Sequence, residues 1–152
     1  MANSFVRVKQ EPDVVVYLMT KYYKDTKKGK WVYTLKSEEN ISISGETVSD
    51  SQDELNLIAI IEVLERVRTS KYIILYTDSI YVKCCLNEWI HRWAKHDFNI
   101  VEHHLDLSIT KRPYHIILKR IYNIIKSKKF RVREINNNIQ KIEFLTKILE
   151  NN

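Results

Sequence analysis

Apolar and polar positions change period along this chain, and the changes lay out its elements. Residues 14–19, Val-Val-Val-Tyr-Leu-Met, form a β-branched and aromatic run with turn-forming residues behind it at 24–29, as a first strand and its turn require. Residues 31–35 and 41–46 follow with alternating apolar positions, so the three segments predict an antiparallel meander. The period then lengthens. Leu55, Ile58, Ala59, Ile61 and Leu64 recur at helical spacing behind Ser51, which with Glu54 makes an S-x-x-E capping box. A helix is predicted from there to about residue 68, apolar on a wide face that must lie against a sheet.

Residues 72–76 are continuously apolar and of strand length, the pattern of a strand buried on both faces. Helices are predicted over 80–95 and 114–127, a short strand over 130–135 and a closing helix over 139–149. Glycine and proline are scarce, two of each, which argues against long flexible linkers. A chain of 152 residues with 44% hydrophobic side chains can close one core of ordinary size, so we expect a polar arm over 1–13 and one domain over 14–150. No segment has the length and apolarity of a membrane span, and the first residues lack the apolar block of a signal peptide. The expectation is a soluble protein inside the cell, cytoplasmic or nuclear, or a component of a virus. Cys84 and Cys85 are adjacent, a spacing at which an unstrained disulfide is hard to form, and we expect both reduced.

Charge changes the picture in the second half. Residues 1–76 hold 11 basic and 11 acidic side chains, whereas 77–152 hold 14 and 8, so the whole formal excess of +6 lies there. Lys111, Arg112, Lys119, Arg120, Lys126, Lys128, Lys129, Arg131 and Arg133 occupy a stretch without any acidic residue. Such a tract is the footprint expected for a polyanion, and these nine residues are the candidate nucleic-acid contacts; the competing reading is a solvated basic face. Val8-Lys9-Gln10-Glu11 also fits the short hydrophobic-Lys-x-Glu pattern of a sumoylation site.

One stretch carries a more specific signal. Tyr76-Thr77-Asp78-Ser79-Ile80-Tyr81-Val82, closing the apolar run and followed by Trp89-Ile90-His91-Arg92-Trp93, resembles the central strand and next helix of ribonuclease H. The order of elements is also that of the ribonuclease H-like fold. The resemblance implies a three-layer α/β domain in which a five-stranded mixed sheet is flanked by helices. It also implies a chemistry: four carboxylates around two Mg²⁺ ions, which suit oxygen ligands and together activate a water and stabilise the leaving oxygen.

Matched residue by residue, the resemblance puts Glu54 in the position of the first-helix Glu and Asp78 in that of the T-D-S Asp. It puts Met19 where the bridging Asp of strand one stands, and Ile142 where the last Asp stands, with Glu143 about 100° around the helix from the site. The His-bearing loop before the last helix is missing, because Ile135 runs directly into Asn136-Asn137-Asn138. The glycine-rich turn after strand one is reduced to Gly29 among lysines, and the basic handle to a mixed segment from Lys95 to His104.

Glu54 and Asp78 are thus vestigial, no metal site is expected, and no cofactor is implied unless Mg²⁺ serves a residual activity. The expected function is an inactive ribonuclease H-like module that binds RNA, DNA or their hybrid, or that serves assembly with further copies or other proteins. Two alternatives stand beside it. One is a structural, self-assembling protein, and the other is an Mg²⁺-dependent hybrid nuclease that recruits Glu11, Asp13 or Glu143. Structural readings also compete at single residues: Asp78-Ser79 and Glu54 as helix caps, and Trp89 and Trp93, one helical turn apart, as core packing. His103-His104 and the cysteine pair have no zinc-site spacing.

Overall fold

The computed structural model describes residues 10–36, 40–100 and 110–151. Val8, Lys9, His103 and His104 lie outside them. The meander forms as β1 (Val14–Tyr23), β2 (Lys28–Lys36) and β3 (Asn40–Val48), each longer than its apolar run because the backbone ladder carries on through polar residues. β1 pairs antiparallel with β2 from Val15↔Lys36 to Tyr23↔Lys28, and Lys27 closes the turn between them in the left-handed region.

Helix α1 (Gln52–Arg66) starts at Ser51, whose hydroxyl accepts the Glu54 N–H at 3.1 Å. A Cβ on Gly29 would collide with the Leu55 side chain, so this glycine lets α1 seat directly on β2. Strand β4 (Tyr72–Thr77) then returns parallel to β1, with Val14↔Ile73 and Tyr17↔Tyr76 in register. Asp13 fixes that start, its carboxylate accepting the N–H groups of Lys71 and Tyr72 at 2.7 and 3.0 Å.

The stretch read as one helix over 80–95 is α2 (Ile80–Cys84), a π turn (Cys85–Trp89) and α3 (Ile90–Ala94). The π turn holds Asn87, whose side chain makes both hydrogen bonds of a strand neighbour with Val132: Nδ2 donates to its carbonyl at 2.8 Å, and Oδ1 accepts its N–H at 2.9 Å. A two-residue ribbon, β5 (Asn99–Ile100) with β6 (Thr110–Lys111), is too short to show a period and was not expected. Helix α4 (His115–Ile125) begins one residue later than expected, because Tyr114, after Pro113, is left-handed; its hydroxyl is 2.6 Å from that of Ser51. β7 (Lys129–Glu134) and α5 (Ile139–Asn151) complete the chain.

The five-stranded sheet has the order β3-β2-β1-β4-β7, so β1 takes the middle and β4 lies inside, between β1 and β7. Side-chain alternation sends Val14, Val16 and Leu18 into the large core beneath α1, α3 and α4, where Leu57, Ile60, Leu64, Ile73, Leu86 and Ile121 are fully covered. The other face carries a smaller cluster of Val32, Ile135, Leu145 and Leu149 beneath α5. This is the expected three-layer α/β arrangement. Cys84 and Cys85 are both free thiols.

Candidate functional site

The T-D-S segment sits where β4 ends. Ser79 caps α2, accepting the Val82 N–H at 3.1 Å, and its own N–H donates to Thr77 Oγ1 at 3.1 Å. The cap is therefore supplied by Ser79 and leaves the Asp78 carboxyl out of it. Asp78 stays exposed at the end of β4, and partial desolvation by its neighbours raises its carboxyl above the usual carboxylate range, against the pull of its own backbone N–H.

Extending the Tyr17↔Tyr76 register by two residues brings Met19 opposite Asp78. Met19 belongs to the apolar cluster under α5, together with Tyr17, Tyr76 and Ile142. The two positions that the resemblance matches to missing carboxylates are thus filled with hydrocarbon packed into one cluster.

Glu54 takes the helix-entry role that stands against the metal reading at this residue. Its Oε1 accepts the Ser49 hydroxyl at 2.8 Å and the Asp50 N–H at 3.1 Å, which uses this carboxylate to hold the entry into α1. The α1 side chains that meet β1 at Thr20 are Gln52, whose Nε2 donates to the Thr20 hydroxyl at 2.8 Å, and Asn56, two residues and about 200° further around the helix than Glu54. Asn56 is only 4% exposed, and its Oδ1 takes the Thr20 hydroxyl of β1 and the Gln52 amide at 3.2 Å. Sequence reasoning missed Asn56 because the capping-box Glu nearby offered a carboxylate of the right type. The usable signal was helical phase: Asn56 shares a face with the apolar Ala59, Ile60 and Val63.

Glu11 and Asp13 stand at the opposite end of the sheet from Asp78. Asp13 binds at Tyr72, six residues from Asp78 along β4, about 20 Å at strand rise. Glu143 is exposed on α5. Among the described residues no three His, Cys, Asp or Glu side chains are gathered as a metal site needs. The donors present do not fit two hard cations held by carboxylates.

The basic tract is not one surface. Lys111 pairs with Asp97 at 3.1 Å and Lys119 with the same carboxylate at 3.4 Å, which holds Asp97 below the usual range. Arg120 lies 3.7 Å from Glu65. The Arg112 guanidinium covers the Trp93 ring at 4.6 Å, and Trp93 in turn packs on Trp89 with centroids 5.8 Å apart. Lys128 donates to the Arg68 and Ser70 carbonyls, at 2.6 Å for the latter, closing the loop after α1. Lys111, Lys119 and Arg120 thus meet carboxylates from outside the tract, while Arg112 and Lys128 are held by a ring and by carbonyls that leave their charge in place. Lys126 is exposed on the α4–β7 corner, at the sheet end away from Asp78.

Lys129, Arg131 and Arg133 differ from the rest. They alternate along β7 with the buried Phe130 and Val132, and they pair in register with Tyr72, Ile74 and Tyr76. All three therefore project on the α5 side of the sheet. Helix α5 lies over β1 and β2, so these residues border the part of that face it does not cover.

The model of the RNase H family matches residues 11–143. The ribonuclease H of Phenylobacterium zucineum is 29% identical over 85 residues, 55% of this chain and 56% of that protein. The chain spans from about a third to little more than half of the length of the curated relatives it matches. Among solved structures, the solution structure of the PFV RNase H domain aligns with TM-score 0.72 at 13% identity, over 92% of this chain and 93% of that one. The foamy viral protease-reverse transcriptase in complex with RNA/DNA hybrid aligns with TM-score 0.64 at 14% identity, over 94% of this chain and 20% of that one. No helix among the described residues is long and apolar enough to cross a membrane.

Proposed function

The chain belongs to the RNase H family, and from that membership we propose that it is a member without nuclease activity that retains the fold as a nucleic-acid-binding module. The observation that carries this reading is the set of side chains at the positions the resemblance matches to the family's carboxylates. Met19 and Ile142 contribute to an apolar cluster, and Asn56 faces β1. An amide and two hydrocarbons cannot supply the negative charge that keeps two divalent cations close together against their repulsion. Asp78 alone offers at most one anionic ligand.

Binding is supported by the net charge of +6 and by the exposed row on β7. The solved foamy viral relative was captured with an RNA/DNA hybrid, so the same class of partner is the natural first probe. The nuclease alternative loses support from the distance of Glu11 and Asp13 from Asp78. Among the described residues the large exposed hydrophobics, Val48, Ile80, Ile116, Ile139 and Phe144, are spread over four elements, with only the last two on one helix, and this scatter lends self-assembly no support.

The test incubates the purified chain with a labelled RNA/DNA hybrid in Mg²⁺ and in Mn²⁺, beside a retention assay in low salt. The expected result is binding without loss of RNA. Cleavage that disappears in Asp78→Asn would refute the inactive reading, and no retention of RNA, DNA or hybrid would refute the binding reading.

A further inference from the structure

Strand β7 carries its charge in a line. Lys129, Arg131 and Arg133 stand on one face of an outermost strand and are all exposed, while Phe130 and Val132 between them are buried in the large core. Side chains two residues apart on a strand step by about 6.6 Å, so the three cations span about 13 Å. The backbone beneath them is fixed by its ladder with β4, from Tyr72↔Lys129 to Thr77↔Glu134.

This charge is not neutralised within the molecule. Among the described residues no carboxylate lies within ion-pair distance of any of the three. Lys129 stands over the Tyr72 ring at 4.3 Å, and Arg131 gives one N–H to the Phe130 carbonyl at 3.0 Å. Both contacts steady the side chain and leave its charge in place. Glu134, the acidic residue next in the chain, is turned to the other face, where it pairs with Lys83 at 3.1 Å. The row also lacks an apolar anchor of the kind that seats a protein partner, because among the described residues none of the large exposed hydrophobics lies on β4 or β7. Evenly spaced cations without an anchor suit a polyanion whose charges repeat along a line. One strand of a duplex rises about 3.4 Å per nucleotide, so a span of about 13 Å faces about four phosphates, enough for three long side chains to take one each.

We propose that Lys129, Arg131 and Arg133 form a phosphate track, which holds the sugar–phosphate backbone of one nucleic-acid strand along β7 and reads neither base identity nor base pairing. The inference rests on the nucleic-acid-binding reading above and gives it a site and a mode of contact. β7 carries none of the positions matched to the family's carboxylates, so hydrocarbon at Met19 and Ile142 leaves the track intact.

The experiment titrates the full chain into fluorescein-labelled duplex and single-stranded DNA of equal length, in two unrelated sequences and over a range of salt. The two sequences should bind alike, and the duplex at least as tightly as the single strand, because its charge density is higher. Lys129→Gln, Arg131→Gln and Arg133→Gln together should lower the salt slope on duplex by roughly 2.7, three phosphates at about 0.9 each. Arg131→Lys with Arg133→Lys should keep the parent slope, since an ammonium still meets phosphate as a point charge. A control variant, Lys24→Gln with Lys28→Gln and Lys36→Gln, removes the same three charges of the formal +6 at other exposed positions and should move the slope less than half as far. Equal losses in the two triple variants would show that binding follows net charge, which overturns the track and leaves the binding reading standing. A single strand held more tightly than the duplex, or one sequence preferred to the other, would show that bases are read and would overturn it as well. Tighter retention of polyglutamate than of duplex would replace the partner by an acidic polypeptide. If the parent retains no nucleic acid, both readings fall.

Discussion

Met19 of β1 and Ile142 of α5 pack against the same small cluster of Val32, Ile135, Leu145 and Leu149, on the sheet face that also carries Tyr76 of β4. Two elements far apart in the chain have thus both placed hydrocarbon where the family's chemistry calls for carboxylates.

A charge introduced there should be costly until something neutralises it. Met19→Asp alone is expected to lose on the order of 3 kcal/mol of stability, as an unpaired carboxylate in an apolar setting does. In the triple variant Met19→Asp, Asn56→Glu, Ile142→Asp, millimolar Mg²⁺ should raise the melting temperature, whereas the parent chain should not respond. Absence of any Mg²⁺ effect in the triple variant would show that these positions do not converge on Asp78.

Asn56 offers a test without metal. Its buried amide joins Thr20 of β1 to Gln52 within α1, so Asn56→Ala leaves the Thr20 hydroxyl without this acceptor. Urea denaturation should register a loss of about 1–3 kcal/mol. Glu54→Gln, which keeps acceptors for Ser49 and Asp50, should cost clearly less.

Asp13 predicts a pH dependence. The N–H groups of Tyr72 first, and then Lys71, hold its carboxyl below the ordinary 3.8. A depressed folded value contributes stability that is present above the unfolded value and lost as pH falls through the folded one. Asp13→Asn should therefore melt at a lower temperature than the parent near neutral pH, and the difference should shrink as the pH falls below about 3.8. A gap that stays constant across that window would show that the charge contributes nothing.

The adjacent cysteines should separate chemically. Burial first pushes the Cys85 thiol up to about 12, so little thiolate forms at ordinary pH, and its side chain is fully covered. Cys84 is half-buried. Mass spectrometry after brief alkylation of the folded chain should find label on Cys84 ahead of Cys85, and on both equally once denatured.

The sequence made the scaffold legible wherever one face of an element is buried. The alternation in β1 and β2 and the phase of α1 came through because each residue's environment follows its period. The ribbon of Asn99–Ile100 with Thr110–Lys111 has no period to read, and the π turn at Cys85–Trp89 shifts phase inside an otherwise helical pattern. The site was less legible. Met19 and Ile142 could be found by matching a motif, but Asn56 required knowing which side of α1 meets β1. The basic tract misled because charge along a chain says nothing about partners across space: Asp97 and Glu65, outside the tract, meet Lys111, Lys119 and Arg120.

The grip of Asn87 on Val132 also bears on how this molecule can fail. A strand edge recruits another chain by offering alternate backbone groups, and fibrillar stacking needs such an offer on both sides of every unit. Here the outer groups of Val132 are already satisfied by an amide that imitates a neighbouring strand, and Lys129, Arg131 and Arg133 charge the same edge. Asn87 thus removes, at the middle of β7, the one pair of backbone groups that an incoming strand would meet at Val132, and leaves that strand a charged row to pair beside.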